Sequence, residues 1–266
     1  MSYEKELKVA MDLAKKAGES ILPFFKQIKN YKIKKDGSPL TSADLISNKI
    51  IVEGIKSSFP GDGIVSEEQE ILDGKRVWYV DPLDGTQSFL LSSPEFSIEI
   101  GFCEYGRPVL GVVFLPVTGE MYYGIKDKGS FILDTKTGII NKIKISSDDS
   151  QELSSPISYN LPLEQKKVLE SLGIKNFTEI GSTGLKILHT LEKSNIFITT
   201  KNGFKLWDIC APHAIVVSAG GIFEFVDGRN IIYGYDTEIK KDFIVSTSKK
   251  YVERIRSELK KISHDY

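Results

Sequence analysis

An apolar run that ends abruptly in an acidic, turn-forming segment constrains this chain more than any other feature. Residues 78–80 read Trp-Tyr-Val, and residues 81–85 follow directly as Asp-Pro-Leu-Asp-Gly. An apolar run bounded by Pro and Gly predicts a buried strand, and the turn after it brings the acidic side chains to the strand end. Carboxylates crowded at one strand end repel each other, so this arrangement favours a site for a divalent cation.

The overall composition is that of an ordinary globular protein. The chain has 266 residues, of which 41% are hydrophobic and 27% charged, enough for one large domain or two packed halves. Thirty-five basic residues against 36 acidic ones leave a net charge of -1. This balance argues against a nucleic acid polymer or a membrane surface as partner and favours a small molecule.

The amino terminus and the cysteines indicate the compartment. Residues 1–8 are charged throughout and lack the apolar core of a signal peptide, and no apolar run approaches the ~20 residues that span a bilayer. The sequence therefore predicts a cytoplasmic protein. Cys103 and Cys210 lie far apart, outside any Cys-x-x-Cys or Cys/His cluster, so we expect small core residues rather than a disulfide or a zinc site.

Periodicity predicts two helices and an antiparallel sheet in the first half of the chain. Apolar residues at three- to four-residue steps indicate a helix over about residues 3–25, and a second helix over about 42–59 would be capped by Thr41 or Ser42. Asp44 would lie in the first turn of that second helix. Short β-prone runs within residues 97–133, separated by Gly and Pro turns, predict a hairpin meander.

The second half alternates strand-like and helix-like segments after a polar stretch, residues 146–155, that predicts a loop. We expect strands at 156–159, 177–180, 196–199, 222–226 and 243–246, and helices at 164–172, 185–193, 208–219 and 252–262. No linker separates independent domains, which predicts one continuous α/β fold in two halves. Residues 1–145 would form an α+β half with the antiparallel sheet and most metal ligands, and residues 146–266 a smaller α/β half that contributes Asp208 and substrate contacts.

Three further acidic residues are candidates for the same site, and each also has a simpler explanation. Glu67 follows the apolar residues 64–65, but a Glu-Glu pair is more often a solvated loop. Asp44 is equally explained by its stabilising effect on a helix dipole. Asp208 is equally explained as a helix N-cap with Pro212 in the first turn. Only the combination of these residues favours a shared site.

Together the acidic residues have the composition of a magnesium centre for phosphate-ester chemistry. Mg²⁺ prefers oxygen ligands, and a pair of ions about 3.5 to 4 Å apart can hold both the attacking and the leaving oxygens of a phosphoryl transfer. Asp81 would bridge two ions, with Asp84 and Asp208 on one side and Glu67 on the other. The peptide carbonyl of Leu83 is an additional candidate ligand because the turn would aim it inward.

The residues after the acidic pair supply the remaining chemistry. The backbone N–H groups of Gly85 and Thr86 would bind a substrate phosphate if they open a helix or an anion nest. Water activated by the metal would be the nucleophile, and the Thr86 hydroxyl would receive or orient its proton while hydrogen bonding to Asp44. The three histidines form no ligand pattern and a Gly-x-x-x-x-Gly-Lys-Ser/Thr loop is absent, which disfavours kinase and nucleotide-triphosphatase chemistry.

Two segments resemble the signatures of a known family. Residues 81–86, Asp-Pro-Leu-Asp-Gly-Thr, resemble the first signature of the lithium-sensitive, Mg-dependent phosphatases that include inositol monophosphatase and fructose-1,6-bisphosphatase, and Trp207-Asp208 with Ala211 resembles the second. The resemblance extends from the first helix to Gly221. It implies the family's layered α-β-α-β-α sandwich, about two or three Mg²⁺ ions and inhibition by lithium, and it is compatible with a homodimer.

Within this family the chain is most similar to the bacterial CysQ-type 3'(2'),5'-bisphosphate nucleotidases. Residues 35–41, 65–68 and 111–117 carry that similarity. It implies hydrolysis of a small phosphorylated metabolite, 3'-phosphoadenosine 5'-phosphate, to AMP and phosphate. Gln87-Ser88 stands where these enzymes commonly have Lys-Glu, so an inositol monophosphatase is the alternative. A noncatalytic phosphate-ligand sensor is the alternative from another class.

The resemblance also implies a role for each candidate residue. Lys186 ends a segment, residues 182–186, that resembles the Gly-Ser-Ser-Leu-Lys of the CysQ type. It is either a partner for the substrate's second phosphate or an ordinary lysine on a helix surface. The implied roles are catalysis for Asp44, Glu67 and Thr86, metal binding for Glu67, Asp81, Leu83, Asp84 and Asp208, and substrate binding for Asp84, Gly85, Thr86, Lys186 and Asp208.

Overall fold

The structure is a computed structural model that describes residues 3–27, 31–35, 37–145, 152–199 and 203–264. The first part of the chain contains α1 (Glu4–Ile21), β1 (Lys32–Ile33), β2 (Pro39–Leu40), α2 (Ser42–Ser58), β3 (Gly63–Ser66), β4 (Arg76–Asp84), α3 (Thr86–Leu90), β5 (Ser97–Glu104), β6 (Arg107–Leu115), β7 (Glu120–Ile125), β8 (Gly129–Asp134) and β9 (Ile140–Lys142). The second part contains β10 (Leu153–Ile157), α4 (Leu163–Ser171), β11 (Ile174–Glu179), α5 (Thr183–Glu192), β12 (Ile196–Ile198), β13 (Phe204–Lys205), α6 (Leu206–Ser218), β14 (Ile222–Phe225), β15 (Glu238–Ile239), β16 (Phe243–Ser246) and α7 (Lys249–His264).

A seven-stranded sheet in the order β3-β4-β5-β6-β7-β8-β9 forms the main layer. Strands β3 and β4 are parallel, and every later pair is antiparallel, which confirms the predicted meander. Along β5 the side chains alternate, so that Ile98, Ile100 and Phe102 face the core beneath α1 and α2. The small residues Ala10 and Ala14 on α1 are completely buried in the same core.

Helices α5 and α6 cover the other face of this sheet, and α6 lies unusually close to it. Gly101, Gly111 and Gly124 on β5, β6 and β7 lie directly beneath α6. A Cβ atom added at Gly111 would lie 2.1 Å from the carbonyl oxygen of Ala211, and one added at Gly101 would lie 2.4 Å from Cys210 Sγ. Because α6 carries Asp208, these glycines determine how near that carboxylate comes to the sheet.

A second sheet lies beyond α5 and α6. Strand β16 pairs with β12 and β14, and β10 pairs with β11. The Asn195 side chain joins the two pieces, because its Oδ1 accepts from Ser154 N at 3.0 Å and its Nδ2 donates to Glu152 O at 2.8 Å. Apolar residues of α4 and α7 cover the outer face of this sheet. The five layers are therefore α1/α2, the main sheet, α5/α6, the second sheet and α4/α7, as the resemblance implies.

Several predicted boundaries differ from the structure. Helix α1 ends at Ile21 and a 3-10 turn, Leu22–Phe24, replaces its predicted last turn, because Pro23 lacks an N–H and disfavours helical geometry at the preceding residue. The predicted loop at 146–155 is wrong at its end, where β10 begins at Leu153 and pairs in parallel with β11. Residues 146–151 lie outside the described residues, as does Asp36 of the predicted turn.

Both cysteines are core residues, as predicted. Cys103 and Cys210 are buried and unoxidised, with their Sγ atoms 3.4 Å apart between β5 and α6. The division of the chain at 145/146 stays a prediction, and the core between the two sheets contains residues from both ranges. Within the described ranges, no helix combines the length and the apolar character needed to cross a membrane.

Candidate metal centre

The acidic pair lies inside the sheet rather than beyond the end of a strand. Strand β4 includes both residues: Asp81 is opposite Glu99 of β5 and Asp84 is opposite Ser97, with an irregular register between them. Pro82 cannot donate to the ladder, which accounts for this break. Asp81 is 3% and Asp84 is 8% exposed. The expectation that the strand stops before the pair is therefore wrong, since the chain turns only after Asp84.

The turn is made by Gly85, whose φ of +90° lies in the left-handed region. Glycine reaches this region at little cost, and a Cβ here would lie 2.7 Å from the Glu95 carbonyl oxygen. The short helix α3 then begins at Thr86. The Thr86 hydroxyl lies 3.0 Å from Asp44 Oδ1 and 3.1 Å from the Leu83 carbonyl oxygen. Thr86 thus joins the acidic segment to α2, as the sequence predicts.

Asp44 contributes to the start of α2 and also faces the acidic segment. Thr41 caps α2, and its backbone N and its hydroxyl donate to Asp44 Oδ2 at 2.7 and 2.6 Å. This capping box accounts for the aspartate at the helix start. Asp44 is nevertheless completely buried, and Oδ1 is directed to Thr86. Burial raises the pKa of Asp44 above its ordinary value, although its hydrogen bonds to Thr41 act in the opposite direction.

Glu67 is held at the end of β3 by an ion pair and is not a solvated loop residue. Lys34 Nζ lies 2.6 Å from Glu67 Oε1 and also pairs with Glu68. The Glu67 side chain is 21% exposed. Burial raises the pKa of Glu67 to about 7, while the charge of Lys34 acts to lower it.

Asp208 is the third residue of α6, so its interpretation as the N-cap is wrong. The cap is Lys205, whose backbone N donates to Asp208 Oδ2 at 2.8 Å. Burial raises the pKa of Asp208 well above its ordinary value, and the charges of Asp84 and Glu67 raise it further. The helix therefore brings this carboxylate to the two from the main sheet, across 124 residues of sequence from Asp84.

Sequence reasoning missed one acidic residue of the cluster, Glu99. It is 0% exposed and lies opposite Asp81. Burial, followed by the charges of Glu67, Asp84, Asp208 and Glu99, raises the pKa of Asp81 well above its ordinary value. The sequence contained one sign of its burial: residues 97–101 read Ser-Ile-Glu-Ile-Gly, so that a single charged residue lies within an otherwise uncharged β-prone run.

The donor set fits a hard divalent cation such as Mg²⁺, because all the candidate side-chain ligands are carboxylates. In the described part of the chain, no group of three or more His, Cys, Asp or Glu side chains is already arranged to hold a metal ion. Two of the carboxylates are bound by groups of the protein. Gly184 N donates to Asp84 at 2.8 Å, and the Ser182 hydroxyl donates to the same carboxylate. Lys34 forms an ion pair with Glu67. A cation must therefore compete with these donors.

A cavity of about 540 Å³ lies beside the acidic segment. Gly85, Gln87, Tyr159 and Lys186 are among the residues that line it. Lys186 is 3% exposed and its Nζ donates to the Ser158 hydroxyl at 3.2 Å. Its interpretation as a helix-surface lysine is therefore wrong, since α5 directs it into the interior, toward this cavity.

Comparisons with known proteins identify the family of this chain. The sequence model of the inositol monophosphatase family matches residues 2–264. A 3'(2'),5'-bisphosphate nucleotidase CysQ from Salmonella typhimurium is 32% identical over 234 residues, covering 85% of this chain and 93% of that protein. A Nus factor SuhB from Pasteurella multocida is 28% identical, covering 81% and 83%. Among solved structures, an IMPase from Thermotoga maritima superposes with a TM-score of 0.79 at 25% identity, covering 97% of this chain and 99% of that one.

Proposed function

Because the chain belongs to the inositol monophosphatase family and is a metal-dependent phosphatase, we propose that it is a 3'(2'),5'-bisphosphate nucleotidase. The reaction is hydrolysis of 3'-phosphoadenosine 5'-phosphate to AMP and phosphate. The observation that carries this choice is the buried Lys186 in the cavity beside Gly85.

A bisphosphate substrate needs a fixed positive charge away from the acidic cluster. One phosphate would lie at the cations that the carboxylates hold. The charge of the other phosphate must be neutralised elsewhere. Lys186 offers a buried ammonium in a cavity whose volume falls in the range of small-molecule sites, about 300 to 1,000 Å³. A buried ammonium interacts with phosphate more strongly than an exposed one because the surrounding dielectric constant is lower. Relatives named as CysQ bisphosphate nucleotidases support the same choice.

We assign metal binding to Glu67, Asp81, Asp84, Asp208 and the Leu83 carbonyl. When bound, Mg²⁺ supplies positive charge to the phosphate oxygens and lowers the pKa of water. The number of ions, about two or three, and the inhibition by lithium are proposals that follow from the family.

Thr86 and Asp44 are assigned to the proton of the attacking water. The buried Asp44 carboxylate fixes the Thr86 hydroxyl at 3.0 Å, so that this hydroxyl can orient the water or receive its proton. Glu67 shares the catalytic role, because it would help to hold the cation that activates the attacking water. Backbone N–H groups at Gly85 and Thr86 are assigned to the substrate phosphate, together with Asp84, Asp208 and Lys186.

Phosphate release from 3'-phosphoadenosine 5'-phosphate and from inositol 1-phosphate, at equal enzyme and Mg²⁺, tests the assignment. We expect a higher kcat/KM for the nucleotide. In Lys186→Met this advantage should fall by about 10- to 100-fold, the value of a charged hydrogen bond, while Lys193→Met, which removes an exposed lysine just after α5, should match the wild type. A clear preference of the wild type for the inositol ester would overturn the nucleotide assignment.

An inositol monophosphatase is the second candidate, because the cavity wall contains the neutral Gln87 where CysQ-type enzymes commonly have a lysine. Gln87→Lys provides the test, since it should increase the preference for the bisphosphate only if this position faces the second phosphate.

A phosphate-ligand sensor without catalysis predicts binding without turnover. Asp84→Asn should sharply reduce both Mg²⁺ affinity and hydrolysis and leave the fold intact, because Asn keeps an oxygen for the donors of α5. Full activity in this variant would contradict the role of Asp84. The cytoplasmic location and a homodimer remain proposals.

A further inference from the structure

Glu99 is a completely buried carboxyl group with one oxygen unpaired. Its Oε1 accepts from the Ser97 hydroxyl at 3.0 Å. Its Oε2 is buried and has no hydrogen-bond partner among the residues that the structure describes. A buried oxygen without a partner destabilises a protein, because water no longer solvates it and nothing replaces the water. Such an atom indicates that something is missing from its surroundings.

The position of Glu99 indicates what that is. Glu99 lies directly opposite Asp81 in the β4–β5 ladder, and side chains opposite each other project from the same face. Like charges in such a pair repel. Burial, then the charge of Asp84, raises the pKa of Glu99 well above its ordinary value, and a hydrogen bond between the two carboxyl groups raises it further. Glu99 therefore faces the other acids of the cluster.

Helix α5 fixes Glu99 in this position. A Cβ atom added at Gly184 would lie 1.7 Å from Glu99 Oε1, so the first turn of α5 packs directly on the carboxyl group. The same Gly184 donates its N–H to Asp84 at 2.8 Å. One helix turn thus holds the two acids side by side and prevents Glu99 from withdrawing from the cluster.

We propose that Glu99 is a fifth carboxylate of the metal centre and supplies an oxygen to the divalent cation held by Asp81 and Asp84. This inference rests on the proposed function, since it assumes the metal centre assigned above. A cation would satisfy the unpaired oxygen and remove the repulsion across β4 and β5. Each added carboxylate also raises the affinity of an oxygen site for a divalent cation.

Calorimetric titration of Mg²⁺ into chelator-treated protein tests the proposal directly. Glu99→Gln preserves the shape of the side chain and removes its charge, and we expect it to weaken Mg²⁺ binding by about tenfold or more. Glu192→Gln is the control, because it removes a carboxylate of α5 that hydrogen bonds to Tyr122, remote from the cluster. We expect this control to bind Mg²⁺ like the wild type.

Thermal unfolding separates a metal ligand from a packing residue. Without metal, Glu99→Gln should unfold at the same temperature as the wild type or higher, because a neutral amide replaces a carboxyl group that is costly to bury in its charged form. With Mg²⁺ it should gain less stability than the wild type. A lower unfolding temperature without metal, together with an unchanged Mg²⁺ affinity, would overturn the proposal in favour of a structural role.

A second variant decides the outcome if Glu99→Gln does not fold. Glu99→Asp preserves the charge but withdraws the carboxylate, and it should bind Mg²⁺ more weakly than the wild type. Wild-type affinity in this variant would contradict direct ligation. Hydrolysis assays are independent of these measurements, so a wild-type protein that hydrolyses no phosphate ester would refute the proposed function, whereas the titration would still decide the role of Glu99.

Discussion

The hydroxyl of Thr86 is the link between the acidic segment of β4 and the start of α2. It contacts Asp44 Oδ1 and the Leu83 carbonyl oxygen at 3.0 and 3.1 Å. Neither contact is needed to form α3 or to cap α2, which Thr41 caps. Under the proposed function, these contacts hold the Thr86 hydroxyl in position for proton transfer.

Thr86→Ala should lower kcat by about 100- to 10,000-fold, the usual contribution of a positioned proton-transfer group. Mg²⁺ affinity should change little because no side-chain ligand is removed. Steady-state kinetics with calorimetric Mg²⁺ titration would measure both quantities. Thr86→Ser is the control, since it retains the hydroxyl and should recover most of the activity. Equal loss in the Ala and Ser variants would exclude the hydroxyl as the cause.

His213 is a buried residue whose titration should affect the stability of the fold. It is 6% exposed, its ring stacks on Phe223, and its Nδ1 lies 2.9 Å from the Tyr233 hydroxyl. Burial lowers the pKa of His213 to about 3. The unfolded chain, with a pKa near 6.5, therefore binds one more proton than the folded protein between about pH 6.5 and 3, and stability falls as the pH falls through this window.

His213→Gln should remove this dependence. The stability advantage of the wild type over the variant should decrease by up to about 1.4 kcal/mol for each pH unit below about 6.5. Urea unfolding of both proteins at several pH values measures this difference. A difference that stays constant from neutral to acidic pH would show that His213 does not titrate on unfolding.

At the scale of elements, the packing of α6 on three glycines brings Asp208 to the candidate metal centre. The main sheet offers a surface without side chains beneath the helix, and Gly111 has the closest approach, with its Cβ position 2.1 Å from a backbone oxygen of Ala211. A backbone oxygen cannot rotate away as a side chain can. Any residue larger than glycine must therefore displace the helix.

Gly111→Ala should destabilise the protein by about 1 to 3 kcal/mol, as overpacking of a close-packed core usually does. It should also weaken Mg²⁺ binding, because Asp208 moves with α6. Chemical unfolding and Mg²⁺ titration measure the two effects. Gly61→Ala is the control, since its Cβ position has no atom within 4 Å. Wild-type Mg²⁺ affinity in a destabilised Gly111→Ala would separate the helix position from the metal site.

Over the whole molecule, the buried acids make the stability of the metal-free protein depend on pH. Burial raises the pKa of Glu67 to about 7, and the pKa values of Asp81 and Asp208 also lie above their ordinary range. A carboxyl group with a raised pKa in the folded state contributes stability below its unfolded value, near 4, and loses it as the pH rises through the folded value. Metal-free protein should therefore lose stability as the pH rises above about 4, and the contribution of Glu67 should be lost as the pH passes about 7.

Mg²⁺ should reverse this loss. It binds the deprotonated acids, so the rise in unfolding temperature on adding Mg²⁺ should be larger at about pH 8 than at about pH 6. Scanning calorimetry with chelator and with Mg²⁺ at both pH values measures the gain. An equal gain at both values, or a larger one at the lower pH, would be inconsistent with a cluster that takes up protons in place of metal.

Much of the fold followed from local patterns. Helix periodicity, the turn residues and the β-prone runs placed α2, the meander from β5 to β8 and the helices of the second half close to their observed bounds. Errors arose where contacts distant in sequence decide. Leu153 belongs to a strand only because β11 pairs with it, and Asp84 belongs to β4 only because it pairs with Ser97.

The sequence by itself determined the chemistry of the candidate site: the acidic signature at 81–86, the second at 207–208 and the order of Asp44 and Glu67 before them. These depend on residue type and spacing, which are local properties of the chain. The tertiary structure alone decided which buried groups face one another. It placed Glu99 opposite Asp81, Lys186 in a cavity and α6 against bare glycines, because strand register and helix approach arise from packing between distant segments.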